Sequence, residues 1–397
     1  MVSGPAPHRV WGITAALGYG AAALVAGRPA ARISPAVVAA TGAVALPLLL
    51  LVATDRAQLE TDVVRRSGEL LTATGNPYVP EPRELADYNP YLPGMALFGA
   101  LPGDVRWWLG AAFLAALGCA VRRGPMVVAI AACPLVALPL AVGSADLPVT
   151  GLMCLGLALA GQGRAGRAGL VLGAAAALKW TAWPALPVAV TLLAVRGGPR
   201  RALTCGGLAL AVCGAVVTPV ALIDGDGFRR NVISFPMGLT ATASPAATPF
   251  PGRLLADHAP GGTVVAMVLL AVSAVLLAVS LVTRPPHTVD AAARRLALGL
   301  TLAIAFMPTT RFGYLVHPLV LVACFPGPVL RAALHRGMGP HASYARHHQR
   351  LPAPAGRHRN LRPSDDGPLS HGRSGGVHLV GAWRGRVRRR AALSRRP

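Results

Sequence analysis

The sequence predicts an all-α, polytopic membrane protein of about 10–11 transmembrane helices, and three observations carry that reading. Hydrophobic residues make up 53% of the 397 positions and mean hydropathy is +0.52. Charged residues are only 13%, against about 25% in soluble domains. The apolar residues gather into runs approaching the ~20 residues that a spanning helix needs, with most arginines between them. A basic protein that binds nucleic acid would spread its net charge of +23 over a polar surface instead. No nucleic-acid partner is expected, and membrane lipids are.

In chain order the apolar runs are 10–27, 35–53, 107–121, 125–142, 147–161, 168–195, 202–223, 262–283, 296–308 and 313–331. Several are short or interrupted by proline, as in broken helices that line a cavity. Orientation follows the arginine bias. Arg122, Arg123, Arg164, Arg167, Arg196, Arg200, Arg201, Arg284, Arg294 and Arg295 mark cytoplasmic connections, opposed only by Asp290. Eight of the 15 acids lie in 54–106, and Asp224, Asp226 and Asp257 lie in 224–260, so both long loops are external. The run 168–195 has arginines at both ends, which breaks the parity. A helical hairpin broken at Lys179-Trp180-Thr181-Ala182-Trp183-Pro184 restores it, because Pro184 disfavours a continuous helix. Residues 1–27 resemble a signal peptide but lack a small-residue cleavage site, which favours an uncleaved span. The six cysteines all fall in apolar runs without metal-ligand spacing, and read as small buried hydrophobes.

Loop 54–106 carries the first chemical signals. Val63, Val64, Ser67, Leu70 and Leu71 recur at helical spacing, predicting an amphipathic helix on the membrane surface. Asp62 at its start is either a favourable first-turn carboxylate or an acid placed to meet a substrate hydroxyl. Two Asn-Pro-Tyr triplets follow, and make Tyr78, Tyr88, Asn89 and Tyr91 candidate sugar-binding residues. Interfacial tyrosines stack on sugars but also anchor proteins in membranes. The 37 residues of 224–260 have almost no helical period, which is odd for a passive connector and fits a cap over a cavity. Asp224-Gly225-Asp226 is too short a pattern to imply a metal.

Three basic groups stand at membrane depth: Lys179 (the only lysine), Arg311 and His317. Such groups cost about 2.5–3.5 kcal/mol to insert and usually mark a functional pathway. Read without matching acids, they point to an anionic ligand such as a lipid phosphate. Snorkelling arginine and a packed neutral histidine are the plainer alternatives.

Together these features resemble the integral-membrane glycosyltransferases of family 87, which have the GT-C architecture. The resemblance rests on Asp62 through Leu71 followed by Gly75 and Tyr78, and on the stretch from Tyr88 to Gly94. It rests also on Ala177 to Pro184 and on Thr310-Arg311-Phe312-Gly313-Tyr314. It covers about 50–330 and implies a GT-C-like bundle reacting at its external face. By that resemblance the donor is a polyprenyl-phosphate sugar, mannose in characterised members, and the acceptor a lipid-linked or cell-envelope glycan. Asp62 takes the role of general base, with Asp55, Glu60 and Asp87 as substitutes. Lys179, Arg311 and His317 stabilise the departing phosphate, so no metal or other cofactor is expected. One departure is that two spans, not one, precede the long loop. A transporter or flippase of a lipid-linked glycan or amphipathic anion is the alternative reading.

Residues 336–397 hold 14 of the arginines and 2 aspartates, about half of the net charge, without any apolar run. Two readings fit this segment: a disordered basic tail drawn to anionic lipid, or the out-of-frame end of a GC-rich reading frame.

Overall fold

A computed structural model describes residues 6–28, 32–242 and 244–327. The basic segment 336–397 lies outside the described residues. Among those described, the structure is helical, with one isolated bridge between Ala247 and Thr310. Four helices are long and apolar enough to cross a membrane: α1 (Ala6–Ala26), α2 (Pro35–Ala53), α10 (Pro199–Ile223) and α12 (Gly262–Thr283). The chain is thus an all-α membrane protein. Shorter helices pack between these spans: α4 (Val105–Val121), α5 (Gly124–Ala131), α6 (Pro134–Val142) and α7 (Asp146–Gly161). The others are α8 (Ala165–Leu178), α9 (Ala185–Gly197), α13 (Val289–Phe306) and α14 (Val316–Cys324). The surface elements are α3 (Leu59–Thr74) and α11 (Pro251–His258).

The two spans before the first long loop are both present, and they cross at glycine. A Cβ on Gly42 would lie 2.4 Å from the Gly18 Cα, so only a pair without side chains allows this approach. In α2 the turn Thr41–Ala45 opens into a π-helix beside that contact. The run read as a single span at 125–142 is instead two helices, α5 and α6, bent by 80°. Pro134 is the cause: it pushes Cys133 into extended backbone, at φ −64° and ψ 129°, and the helix stops there.

The break expected at 179–184 is present, and helix contacts give its direction. Gly169 abuts Cys205 and Gly173 abuts Ala209, so α8 runs parallel to α10. Gly206 faces Val190 and Gly197 meets Arg201, so α9 runs antiparallel to α10. The two arms therefore form a hairpin. It returns both arginine-bearing connections to one end, where the Arg201 guanidinium lies beside Gly163. Lys179 sits at the other end.

The core forms around α7, in which 13 of 16 residues are buried. Gly151 admits Phe113 of α4, and Gly156 admits Leu172 of α8. At the other extreme, only 6% of the apolar window of α12 is buried, leaving Val264, Val268, Val275 and Val282 facing outward. Cysteine placement differs in part from expectation. Cys154, Cys205, Cys213 and Cys324 are buried, but Cys119 is exposed on the outward side of α4.

Candidate functional site

The first long loop is built around one amphipathic helix and one repeated turn. Helix α3 buries Val63, Val64, Ser67 and Gly68, and ends at Gly75, whose φ of +75° suits glycine. Gly99 packs so closely beneath α3 that a Cβ there would lie 2.0 Å from the Val64 carbonyl oxygen. The two Asn-Pro-Tyr triplets then fold alike. The Asn76 side-chain oxygen accepts from the Tyr78 N–H, and that of Asn89 from the Tyr91 N–H, each at 3.1 Å. Asparagine bonding two residues onward across a proline is a stable turn. Tyr78 donates its hydroxyl to the Tyr91 carbonyl at 2.9 Å and joins the turns. Burial pushes the Tyr78 phenol well above its ordinary value.

Both turns are tied to the second long loop. The Asn76 amide donates to Asp224 at 2.9 Å, and the Asn89 N–H donates to the Asn231 side chain at 2.8 Å. Tyr88 stacks on Phe235 with ring centroids 4.4 Å apart. Further on, Thr310 donates to Ala246 and accepts from Thr248, each at 3.0 Å, which fixes the strand-like segment carrying Arg311. The Leu92 N–H donates to the Leu178 carbonyl, the last residue of α8, bringing Tyr91 against Lys179.

These contacts enclose a cavity of about 340 Å³. One part of its wall is polar: Glu60, Tyr88, Tyr91, Lys179, Thr181, Arg311 and Tyr314. The rest is apolar and includes Met267, Leu270, Leu300, Ala303 and Met307 from α12, α13 and the turn after α13. The Thr181 hydroxyl is buried and has no hydrogen-bond partner among the described residues. A second, wider depression of about 1180 Å³ lies outside it, lined by His8, Asp55, Arg56, Gln58, Asp62 and Arg65. Glu60, Leu59, Pro245 and Arg311 line both spaces.

The buried basic groups are not without matching acids, contrary to the expectation from sequence. Lys179 Nζ donates to Asp146 Oδ1 at 2.6 Å. His317 Nε2 lies 3.2 Å from the same oxygen, without the alignment of a hydrogen bond, while its Nδ1 is 2.6 Å from the Thr150 hydroxyl. Arg311 Nη1 donates to Glu60 Oε1 at 2.5 Å. The Lys179 ammonium also lies over two rings, 4.6 Å from the Tyr314 centroid and 5.4 Å from that of Tyr91. Two ion pairs thus meet at one cavity, and their charges nearly cancel.

The sequence-predicted residues divide accordingly. Tyr88, Tyr91, Lys179 and Arg311 converge on the inner cavity. Tyr78 and Asn89 hold the loop and do not line it, and His317 is packed behind Asp146. Asp62 lines only the outer depression, whereas Glu60 reaches the inner one. Asp224 caps the following turn at the Gly227 N–H, and Asp226 pairs with Arg229. Among the described residues no group of three or more His, Cys, Asp or Glu could hold a metal ion. Asp146, Tyr314 and Thr181 were given no site role from sequence, although Thr181 and Tyr314 fall within stretches that carry the family resemblance. For Asp146 a signal existed: it is a lone acid between two apolar runs, available to the lone lysine. Compared with family models, curated proteins and solved structures, the chain finds no match in any of the three.

Proposed function

We propose that the protein is an integral-membrane hexosyltransferase that moves a sugar, mannose by the resemblance above, from a polyprenyl-phosphate donor to a hydroxyl acceptor with inversion. The observation that carries this reading is the inner cavity. A carboxylate, two cations and three tyrosine rings meet there at the head of an apolar space formed partly by spanning helices. That chemistry matches a ligand with a lipid tail, a phosphate and a sugar. The apolar wall takes the first isoprene units, and Arg311 and Lys179 take the phosphate. Tyr91 and Tyr88 offer faces to the sugar. The whole is counted as a GT-C-like bundle if the short helices α4 and α7–α9 are taken as spans alongside the long ones.

Glu60 replaces Asp62 as the general base in this reading, because it is the carboxylate that borders both spaces. The acceptor oxygen attacks the anomeric carbon as the bond from that carbon to the phosphate oxygen breaks. The acceptor proton passes to Glu60, and the electron pair leaves with the phosphate, whose growing charge Arg311 and Lys179 stabilise. For this the Glu60–Arg311 pair must part. Arg311 turns to the phosphate, and Glu60 is released to accept the proton.

The test is incubation of the purified protein with radiolabelled polyprenyl-phosphate-mannose and membrane lipid extract. A new labelled glycolipid is expected, and Glu60→Gln should lower its formation about 10²–10⁴-fold. Undiminished transfer by that variant overturns the assignment of the base. Translocation of the labelled lipid across vesicles with no new glycosidic bond overturns the transferase in favour of a transporter.

A further inference from the structure

The arginine-bearing end of the bundle, opposite Lys179, takes no part in the reading above. Segment 162–167, where α7 passes into α8, and segment 196–201, where α9 passes into α10, hold five arginines and no acid. Arg164, Arg167, Arg196, Arg200 and Arg201 are all exposed. Their side chains make no hydrogen bond or ion pair among the described residues. Arg295 shows the other fate of an arginine at this end, since it donates to the carbonyls of Ser280 and Arg284. Asp290, the one acid among these connections, follows Val289, which packs against Gly161 at the end of α7.

Packing draws the two segments together. A Cβ on Gly163 would lie 3.0 Å from Arg201 Nη1, and one on Gly197 would lie 2.4 Å from Arg201 Cδ. Both glycines are therefore needed to seat the Arg201 guanidinium between the segments. A general bias of arginine toward cytoplasmic loops explains the charge but not such a seat. Beneath it the surface turns apolar. Counting round each helix from its contact with the other, Leu170 lies about 100° beyond Gly169 and Leu208 about 100° before Ala209. In parallel helices these positions are on the same side of the pair. Leu170 and Leu208 are 48% and 36% exposed there. Arg167 stands three residues before Leu170, and Arg201 seven before Leu208, so each leucine lies below an arginine on its own helix.

An apolar strip headed by unpaired guanidinium groups has the polarity of a phospholipid. Guanidinium binds phosphate oxygens through paired donors, and basic sites between helices on the cytoplasmic side hold anionic headgroups. We propose that this face binds an anionic phospholipid of the cytoplasmic leaflet. Arg201, Arg164 and Arg167 hold its phosphate, and an acyl chain lies along Leu208 and Leu170. The inference does not rest on the transferase reading, because none of these residues borders either cavity.

The experiment uses the full chain in a neutral detergent, with bound lipid counted by native mass spectrometry. The probes are dioleoylphosphatidylglycerol and dioleoylphosphatidylcholine, which share their chains and differ in headgroup charge. The phosphatidylglycerol is expected to bind about tenfold more tightly or better. Arg201→Gln and the double variant Arg164→Gln/Arg167→Gln should each weaken it about fivefold or more. Gly197→Ala, which displaces Arg201 and removes no charge, should weaken it as well. Arg122→Gln/Arg123→Gln removes charge from another connection at the same end, and should change binding less than about twofold. Equal binding of the two lipids, or binding of neither, overturns the proposal. An equal loss in the site variants and in the Arg122/Arg123 variant also overturns it, by making the attraction diffuse. So does full competition by glycerol 3-phosphate at equal concentration, which would mark a site for free phosphate.

Discussion

Lys179–Asp146 and Arg311–Glu60 are both short acid–base pairs, at 2.6 and 2.5 Å, in contrasting surroundings. The Lys179 and Asp146 side chains are 11% and 5% exposed, and a second basic side chain and two aromatic rings pack about them. Those of Arg311 and Glu60 are 33% and 20% exposed, on a wall shared by two cavities. Burial sets what each pair can do. A buried charge that loses its partner is stranded at a cost of several kcal/mol, so the inner pair is fixed. A pair reached by water contributes about 1 kcal/mol or less, so the outer pair can part when a ligand offers Arg311 another anion. The inner pair stays together and holds the Lys179 ammonium where a phosphate can meet its remaining donors, and the outer pair is free to part.

That contrast is open to direct attack. The largest effect is expected from Asp146→Asn, which leaves the Lys179 ammonium buried without its acid. A loss of about 3–5 kcal/mol should appear as a large drop in detergent melting temperature, and adding Lys179→Met should recover much of it. Similar melting of the single and double variants would break the claim that the pair is structural. Arg311→Gln should do the reverse. It is expected to change stability by no more than about 1 kcal/mol, yet to reduce sugar transfer about 100-fold or more through lost stabilisation of the phosphate. A folded variant with normal transfer would place Arg311 outside the reaction.

Smaller effects sharpen the distinction between loop-holding and ligand-facing tyrosines. Tyr78→Phe strands the buried Tyr91 carbonyl and should cost about 1–3 kcal/mol, with turnover per folded molecule retained. Tyr91→Leu removes a ring from the cavity wall and should raise the donor KM instead. The smallest effect concerns acid stability. The N–H groups of Glu84 and Arg83 donate to Asp87 and hold its carboxyl below its ordinary value of 3.8. A carboxyl lower in the folded than in the unfolded state stabilises the fold above the ordinary value, and loses that contribution as pH falls through the folded one. Asp87→Asn should therefore flatten the acid limb of the stability profile slightly, as measured by denaturant titration between pH 2 and pH 6.

Much of the architecture was legible because it depends on local chemistry. Proline at 184 and alanine–leucine runs on either side are enough to place the hairpin, since a proline ring and its missing N–H act where they stand. The same logic applied to Pro134 would have divided 125–142, where hydropathy averaged across the break concealed it. The Asn-Pro-Tyr repeats were visible as a pattern, but their reading as sugar contacts overlooked the turn that such a triplet makes. Tyr78 and Asn89 are therefore spent on the loop, and only Tyr88 and Tyr91 remain for the cavity.

The choice between Glu60 and Asp62 shows where sequence stops. Two residues apart on an α-helix, their side chains diverge by about 200°, so both cannot face the inner cavity. Which one does depends on how α3 is rotated, and that is set by Gly68 against Gly99 some thirty residues along the chain. The pairings of Asp146 with Lys179 and of Glu60 with Arg311, across 33 and 251 residues, are likewise products of packing. By itself the sequence determined the membrane class, the helical runs, most of their breaks and the common end of the arginine-bearing connections, because hydropathy, proline and charge act locally. Only the tertiary structure decided which acids neutralise the buried cations and which carboxylate meets both cavities, because helix rotation and long-range contact have no local signature.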